Sequence, residues 1–313
     1  MEKFTSLEIC AGAGGQALGL EQAGFGHLAL VEIDHQACQT LRTNRPNWNV
    51  LEGDLKGFNA SEYRGKVDLL AGGVPCPPFS IAGKQLGHLD DRDLFPEAVR
   101  LVKECNPKAL LLENVRGLLD PKFEPYRTEI LNELMELGYE ADWKILQASD
   151  FGVSQLRPRA ILIAMKKKYF KHFEWPKKVK IQPPSVGELL YEEMSLMGWE
   201  DANYWRQQAS SIAPTLVGGS KKHGGADLGP TRAKSAWRQL SVDGHGLADT
   251  PPLAGFTGLP RLTVRMAALI QGFPKEWQFA GRKTPAYRQV GNAFPPPVAK
   301  MLGKSIANAL KNG

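Results

Sequence analysis

The sequence predicts an α/β protein built on a doubly wound, mostly parallel sheet, with a second, smaller and irregular domain. Three observations support this fold class. Short apolar runs alternate with stretches of helical periodicity over residues 4 to 165. A glycine-rich turn separates the first apolar run from the first helical stretch. The alternation stops at Pro183-Pro184, which is typical of a linker.

Each apolar run that is bounded by turn residues favours a buried strand. The predicted strands are Ser6–Cys10, Leu28–Ile33, Asn49–Glu52, Val67–Ala71, Ala109–Glu113, Ala141–Gln147 and Ala160–Met165. The predicted helices between them are Gly15–Ala23, His35–Asn44, Pro96–Glu104 and Pro125–Leu137. Proline suits the first turn of the last two helices. Helical spacing returns at Thr263–Ile270 and in an amphipathic helix at about Pro296–Leu310.

This pattern divides the chain into a first domain, residues 1–182 completed by 285–313, and a second domain, residues 183–284. Residues 185 to 260 are rich in Gly, Ser and Trp with little helical period, so we expect irregular structure there. No apolar run approaches the roughly 20 residues of a membrane span, so no membrane partner is expected. The first residues lead directly into a strand without a secretory signal, and we expect a cytoplasmic monomer.

Basic charge is concentrated in the middle of the chain. Residues 151–182 hold nine Lys and Arg against one Glu, and residues 218–238 hold five against one Asp, whereas the whole chain has a net charge of +6. A solvated surface would explain such runs, but a surface that faces a nucleic-acid backbone explains them better. The four cysteines form no Cys-x-x-Cys pair, so neither a zinc site nor a disulfide framework is expected.

One cysteine stands in a setting that suggests chemistry. Cys76 lies between Pro75 and Pro77, shortly after the predicted strand Val67–Ala71. The prolines restrict the backbone and hold the cysteine on a rigid shelf at the carboxyl end of a strand, where ligands bind in open α/β sheets. A buried core cysteine is the alternative, and this segment alone does not decide between the two.

Three further segments carry candidate functional groups. Glu113 ends an apolar strand, where burial favours a neutral acid, although a salt-bridged strand end is the simpler interpretation. Arg157 and Arg159 alternate before a strand, so both side chains lie on one face. A pair of surface arginines is the alternative there. The segment from Arg288 to Ala293 contains the turn Gln289-Val290-Gly291-Asn292.

The first turn, Ala11-Gly12-Ala13-Gly14-Gly15, predicts a nucleotide-containing cofactor. Glycines allow a close backbone approach, and the Gly-Lys-Ser/Thr of a phosphate loop is absent. Glu32 ends the second strand, where a carboxylate can accept both ribose hydroxyls, and Asp54 could accept from an adenine amino group. The turn does not separate a nicotinamide dinucleotide from S-adenosylmethionine. The downstream Cys76 and Glu113 favour the latter, because they have no role in hydride transfer.

In this order, the motifs resemble those of the cytosine-5 DNA methyltransferases of restriction–modification type, from about residue 5 to the C-terminus. The resemblance implies a Rossmann-like sheet, S-adenosylmethionine as cofactor and methyl transfer to carbon 5 of a flipped-out cytosine. It implies Cys76 as the nucleophile and Glu113 as the acid. Arg159 would brace Glu113 or contact the cytosine carbonyl, and Arg157 would reach a DNA phosphate. The implied cofactor-binding residues are Cys10, Ala11, Gly12, Gly14, Gly15, Glu32, Ile33, Asp54, Leu55, Gly73, Pro75, Asn292 and Ala293.

Two positions depart from the family pattern. Cys10 stands where the family usually has an aromatic residue, which reduces the stacking area for the cofactor. Pro77 stands where the family has Gln after the cysteine. Three alternatives remain: an amino-group DNA methyltransferase, whose Asp/Asn/Ser-Pro-Pro-aromatic motif is close to Cys76-Pro77-Pro78-Phe79; a transfer-RNA cytosine-5 methyltransferase; and an inactive DNA-binding homologue.

The pattern fails between about residues 183 and 258, where such enzymes place target recognition. The resemblance therefore implies that residues 1–182 with 285–313 form the catalytic and cofactor-binding domain, and that residues 183–284 recognise double-stranded DNA. A cognate restriction endonuclease would be the functional partner. The candidate DNA contacts are Ser80, Lys84 and Arg92 in the loop after Cys76, and Lys221, Lys222, Arg232 and Lys234 in the polar stretch of the second domain.

Overall fold

The computed structural model describes residues 4–75, 93–219 and 225–313. Over these residues the chain forms one seven-stranded sheet with helices on both faces. The strands are β1 Phe4–Ile9, β2 Phe25–Glu32, β3 Val50–Glu52, β4 Leu69–Gly72, β5 Ala109–Val115, β6 Tyr139–Gln147 and β7 Pro158–Lys166. Each strand predicted from the sequence is therefore present, with ends shifted by a few residues.

The strand order across the sheet is β3-β2-β1-β4-β5-β7-β6. Strands β1 to β5 run parallel, whereas β7 is antiparallel to both β5 and β6. The predicted mostly parallel sheet is thus confirmed. The chain order reverses between β1 and β4, and the carboxyl ends of these two strands form the crevice in which such sheets bind ligands.

The helices of the described residues follow the predicted alternation in the first half of the chain. They are α1 Gly15–Gln22, α2 His35–Asn44, α3 Phe95–Cys105, α4 Glu124–Glu136, α5 Lys167–Phe170, α6 Val186–Ser195, α7 Ala202–Gln208, α8 Thr231–Gln239, α9 Val264–Gln271, α10 Lys283–Asn292 and α11 Pro296–Asn312. Proline lies in the first turn of α3 and of α4, as expected. Within this part of the chain no helix has both the length and the apolar character to cross a bilayer.

The expectation of irregular structure over residues 185 to 260 was wrong in part, because α6, α7 and α8 lie there. These helices span only ten, seven and nine residues, too few turns for a clear periodic signal. Their stability comes from specific contacts instead. Ser185 and Glu188 form a capping box at the start of α6, and Trp205 and Trp237 are buried in a common core.

Three large apolar clusters account for most of the core. Two cover the opposite faces of the sheet, and the third is formed mainly by residues 186–277. This third cluster also includes Leu18 of α1 and Tyr287 and Val290 of α10, so it is continuous with the elements around the crevice. The division into two domains stays a prediction. Helix α11 packs on the sheet, as expected, through Val298 and Leu302.

Candidate active site

A cleft of about 330 Å³ opens at the carboxyl ends of β1, β2 and β4. It is lined by most of the predicted cofactor-binding residues: Cys10, Ala11, Gly12, Gly15, Glu32, Ile33, Asp54, Leu55, Gly73, Pro75, Asn292 and Ala293. Glu113 lines the same cleft. The fold therefore brings the two halves of the predicted site, which are far apart in the sequence, into one continuous surface.

The glycine turn after β1 forms the floor of this cleft. Cys10 has a φ of 49° and Gly12 a φ of 54°, so both residues are left-handed, which is uncommon for a non-glycine residue. A Cβ atom at Gly12 would meet no atom within 4 Å, which shows open space beside the backbone. Burial raises the pKa of the Cys10 thiol to about 12, so this cysteine is a neutral wall residue.

Gly14 differs from the other predicted cofactor residues, because it is not among the residues that line the cleft. It precedes α1 with a φ of 83°, and a Cβ there would lie 2.6 Å from Leu41 Cδ2 and 3.2 Å from Trp277. The positive φ and this close packing both favour glycine at position 14. The predicted cofactor contact at Gly14 stays a prediction.

Glu32 holds the shape of the turn as well as lining the cleft. One carboxylate oxygen accepts from Gly12 N at 2.7 Å, and the other accepts from Asp34 N at 2.8 Å. Burial raises the pKa of Glu32, while these backbone hydrogen bonds act in the opposite direction. Each oxygen keeps a second lone pair, so the carboxylate can still accept a hydroxyl from the cleft side.

Glu113 and Arg159 form the polar end of the cleft. Arg159 Nε lies 2.7 Å from Glu113 Oε1, and both side chains are nearly buried. The expected bracing contact is therefore present. Asn114, next along β5, donates to the carbonyl of Val74 at 2.9 Å and fixes the backbone that leads to Pro75. Cys76 follows Pro75 and lies outside the described residues, as do Ser80, Lys84 and Arg92.

The predicted role of Arg157 as a phosphate contact is wrong for the described structure. Its side chain is 1% exposed and donates to the carbonyls of Leu216, Gly291 and Ala293. The alternation argument placed Arg157 and Arg159 on one face of the strand, but it did not show that later segments cover Arg157. A guanidinium enclosed in this way cannot reach a DNA backbone.

Helix α10 supplies a wall of the cleft that sequence reasoning recognised only in part. Asn292 lines the cleft, and its Nδ2 donates to the carbonyl of Gly219 at 3.4 Å. Over the whole cleft, the lining residues that were missed are Ala13, Gln16, Val31, Asp34, Ala37, Gly53, Leu94, Pro285, Arg288, Gln289 and Phe294. The signal for Arg288 was available, because it lies one helical turn before Asn292 and therefore shares its face.

The predicted DNA contacts of the second domain are placed unevenly. Arg232 is exposed in the first turn of α8. Lys234 pairs with Asp227 at 2.8 Å, which reduces the charge it presents to a ligand. Lys221 and Lys222 lie outside the described residues.

The basic charge of residues 151–182 is also divided by the fold. Arg157 and Arg159 are buried near the cleft, whereas Lys166 ends β7 at the opposite edge of the sheet, where its N–H donates to the carbonyl of Lys108. The exposed Lys167 and Lys168 follow at that far edge. The basic residues of this run therefore lie at opposite ends of β7 and do not form one continuous surface.

Comparison with known proteins identifies the family that carries this site. The sequence profile of the C-5 cytosine-specific DNA methylases matches residues 4–308. The chain belongs to the C-5 cytosine-specific DNA methylases. It is therefore an enzyme that methylates carbon 5 of cytosine in DNA. This assignment does not agree with the amino-group methyltransferase alternative, because that chemistry targets an exocyclic nitrogen.

Individual relatives extend the match over the whole chain. This methylase is 59% identical to the type II methyltransferase M.NgoMIV of Neisseria gonorrhoeae, over 99% of each chain. It is 56% identical to the type II methyltransferase M.NaeI of Lentzea aerocolonigenes, over 99% of this chain and 76% of the relative. A crystal structure of a candidate DNA modification methyltransferase from an E. coli prophage shares the fold, with 24% identity, a TM-score of 0.72 and coverage of 99% and 100% of the two chains.

Proposed function

We propose that this methylase is the modification enzyme of a type II restriction–modification system, working with a cognate restriction endonuclease. It would act as a monomer on double-stranded DNA in the cytoplasm, where that DNA lies. The support is the agreement of two relatives, both described as type II methyltransferases, with this chain over its full length. The specific sequence that it methylates would be read by residues 183–284.

We further propose that the cleft binds S-adenosylmethionine. The fit rests on the open space beside the backbone at Gly12 and on the lone pairs of Glu32 that its two backbone hydrogen bonds leave free. The thiol of Cys10 is neutral, so it places no charge next to a bound ligand. Glu32 would hold the ribose hydroxyls and Asp54 the adenine end, with Asn292 on the facing wall. When bound, the cofactor supplies the methyl group as a sulfonium.

Methyl transfer would proceed through Cys76. Carbon 5 of cytosine is a poor nucleophile, and addition of a thiolate to carbon 6 converts the ring into an enamine-like nucleophile. Negative charge then develops toward ring nitrogen 3, where the carboxyl of Glu113 would donate a proton. After carbon 5 is methylated, a water molecule acting as base would take the carbon-5 proton. The carboxylate of Glu113 would take back the proton on nitrogen 3 as the carbon–sulfur bond breaks, which releases the thiolate and restores the ring. The base must leave the helix for this chemistry, because a stacked cytosine is inaccessible.

The Glu113–Arg159 contact would position the carboxyl group for this step. Arg159 Nε lies 2.7 Å from Glu113 Oε1, and both side chains are nearly buried. Arg159 would therefore keep the carboxyl group of Glu113 oriented toward the cleft while the proton is transferred.

On the DNA side, Arg232 is the residue of the described second domain that we propose for base reading, since it is exposed in the first turn of α8. Lys221, Lys222 and Lys234 would contact phosphates nearby. Ser80, Lys84 and Arg92, from the loop after Cys76, would hold the strand that carries the flipped base. Arg157 takes no part in this contact, because it is buried.

The observation that carries the proposal is the single cleft that joins the Glu32 turn to the Glu113–Arg159 pair beside Pro75. Bisulfite sequencing of a plasmid methylated by the protein would give the recognition site. A duplex with 5-fluorocytosine at that site should then trap a denaturant-stable adduct, because fluorine cannot leave as a cation. Cys76→Ala should form no adduct, whereas Cys105→Ala, a change in the core far from the cleft, should form one.

The other two functions considered from the sequence would give different results in the same assays. An inactive homologue would bind DNA and transfer no labelled methyl group. A transfer-RNA methyltransferase would label tRNA and leave the plasmid unmodified. Normal methylation by Cys76→Ala would refute the covalent mechanism, although it would leave the family assignment intact.

A further inference from the structure

Arg157 lies at the centre of a buried polar contact between three distant segments of the chain. Its Nη1 donates to the carbonyl of Leu216 at 2.9 Å. Its Nη2 donates to the carbonyls of Gly291 at 2.8 Å and Ala293 at 3.1 Å. These carbonyls belong to a segment inside the second domain and to the end of α10.

Gln155, two residues before Arg157, contacts the same two segments through further hydrogen bonds, the second of them through Gln271. Its Oε1 accepts from Leu216 N at 2.8 Å, and its Nε2 donates to Gln271 Oε1 at 2.6 Å. Gln271 in turn donates to the carbonyl of Ala293. Both backbone groups of Leu216 and the carbonyl of Ala293 are therefore held by side chains that are themselves buried. This closed ring leaves little freedom for one segment to move without the other.

Close backbone packing reinforces the ring on its outer side. A Cβ at Gly218 would lie 2.5 Å from Asn292 Oδ1 and 2.6 Å from the carbonyl of Arg288. A Cβ at Gly291 would lie 2.4 Å from Gly218 N. These distances are shorter than real contacts allow, so the segment after Leu216 packs directly against the residues that line the cleft.

The charge of Arg157 makes this contact sensitive to substitution. Among the described residues it has no carboxylate partner of its own, because Glu113 pairs with Arg159. Its positive charge is compensated mainly by backbone carbonyls, and burial lowers the pKa of Arg157 well below its usual value. A planar guanidinium can reach three carbonyls in fixed directions, whereas a lysine ammonium is a single point of charge.

The ring therefore lies between two ligand surfaces. Asn292 and Ala293 line the cleft on one side. Leu216 begins the segment that leads to residues 220–224 and on to Arg232 on the other side. We propose that Arg157 is a positioning residue that couples the cofactor cleft to the DNA-recognition segment, so that each ligand is bound more tightly when the other is present. This inference rests on the proposed function, because it requires both ligands.

Binding measurements test the coupling without relying on turnover. The affinity for a fluorescent duplex that carries the recognition site would be measured with and without saturating S-adenosylhomocysteine. The affinity for S-adenosylhomocysteine would be measured by calorimetry with and without the duplex. The coupling factor is the ratio of the affinity for one ligand with the other present to its affinity alone. For the unchanged protein we expect the factor measured on the duplex and the factor measured on S-adenosylhomocysteine to agree and to be at least about fivefold, since thermodynamic coupling is reciprocal.

Two variants disturb the ring from different sides. Arg157→Lys removes the fixed guanidinium contacts, and Gly218→Ala forces Asn292 to move while leaving the buried charge in place. For each we expect the coupling factor, which is the ratio of two affinities of the same variant, to fall below about twofold. In Arg157→Lys the affinity for each ligand alone should change by less than about threefold. In Gly218→Ala the affinity for S-adenosylhomocysteine alone should fall as well, because Asn292 lines the cleft. The matched control is Gly225→Ala, because a Cβ there meets nothing within 4 Å. It should keep the full coupling factor.

The outcomes separate this inference from the proposed function. If the unchanged protein binds both ligands without coupling, or if both variants keep the full factor, Arg157 is not a coupling residue and the proposed function stands. Should Arg157→Lys fail to fold, the result for Gly218→Ala decides. If the unchanged protein binds no S-adenosylhomocysteine, both the inference and the proposed cofactor are wrong.

Discussion

Arg159 reaches Glu113 diagonally across two antiparallel strands. Glu113 is directly opposite Ile161 in the β5–β7 pair, and Arg159 lies two residues along β7, so the two side chains share one face of the sheet. The resulting distance from Arg159 Nε to Glu113 Oε1 is 2.7 Å. The ion pair is thus fixed by the register of the sheet rather than by a loop, which keeps the carboxylate in place at the end of the cleft.

Replacement of Glu113 by Gln should lower methyl transfer by on the order of 10²-fold or more, because Gln keeps the shape but cannot transfer a proton. Affinity for S-adenosylhomocysteine should change little. Single-turnover methylation and calorimetry would measure the two quantities. Glu140→Gln, an exposed change on β6, is the control. An equal loss of rate and of cofactor affinity would show that Glu113 acts structurally.

Replacement of Glu32 by Gln should act on the other half of the site. Gly12 N–H and Asp34 N–H both donate to the carboxylate of Glu32. A glutamine side chain has one acceptor oxygen, so its NH₂ group would face one of these two donors and that hydrogen bond would be lost. We expect affinity for S-adenosylhomocysteine to fall by about tenfold or more, as for a lost hydrogen bond to a charged group. Calorimetry would measure it. Glu52→Gln, at the end of the neighbouring strand, should bind the ligand normally.

The sheet was predictable from the sequence because its signals are local. Most of the parallel strands contain a short apolar run next to turn residues, and the positive φ angles at Gly12 and Gly14 favour the residue type that the sequence shows. That Glu32 and Glu113 line the same cleft was also predictable, since both lie at carboxyl ends of parallel strands, and these ends share one edge of the sheet.

Arg157 could not be placed in the same way, because its environment is set by tertiary contacts. Strand periodicity gives the face on which Arg157 lies, but the residues that cover it, Leu216 and Gly291, are distant in the sequence. The wall of α10 was only partly recognised for a related reason. A motif identifies Asn292, whereas the neighbours that share its cleft depend on how the helix packs. The short helices α6 to α8 are stabilised by burial and have weak local signals.

Replacement of Arg232 by Ala should change or relax the methylated sequence, because an exposed arginine in a first helical turn can pair bidentately with guanine. Bisulfite sequencing of a plasmid would show the pattern. The control is Arg238→Ala, near the other end of α8 and on a different side of the helix. An unchanged pattern at a normal rate for Arg232→Ala would remove this residue from base reading.

A buried carboxyl group under the glycine turn gives a prediction about pH. Glu8 on β1 is fully buried, and neither of its oxygens accepts a hydrogen bond from the described residues. Burial raises its pKa to about 8 from a usual value of 4.5. His27 faces it, with Nδ1 at 3.8 Å, and Ser6 Oγ lies 2.6 Å from the same nitrogen.

Between these two pH values the folded protein keeps a proton on Glu8 that the unfolded chain has released. The free energy of unfolding contributed by this group therefore falls as pH rises from about 4.5 to about 8, by on the order of a few kcal/mol in total. Glu8→Gln removes this dependence, because the amide does not titrate. The measured quantity is the melting temperature of Glu8→Gln minus that of the unchanged protein at the same pH. We expect this difference to be distinctly more positive at pH 8 than at pH 5. Because the comparison is between two proteins at each pH, the titration of groups distant from Glu8 largely cancels. A difference that stays constant across this range would mean that Glu8 is ionised in the folded protein, with His27 as its counter-charge.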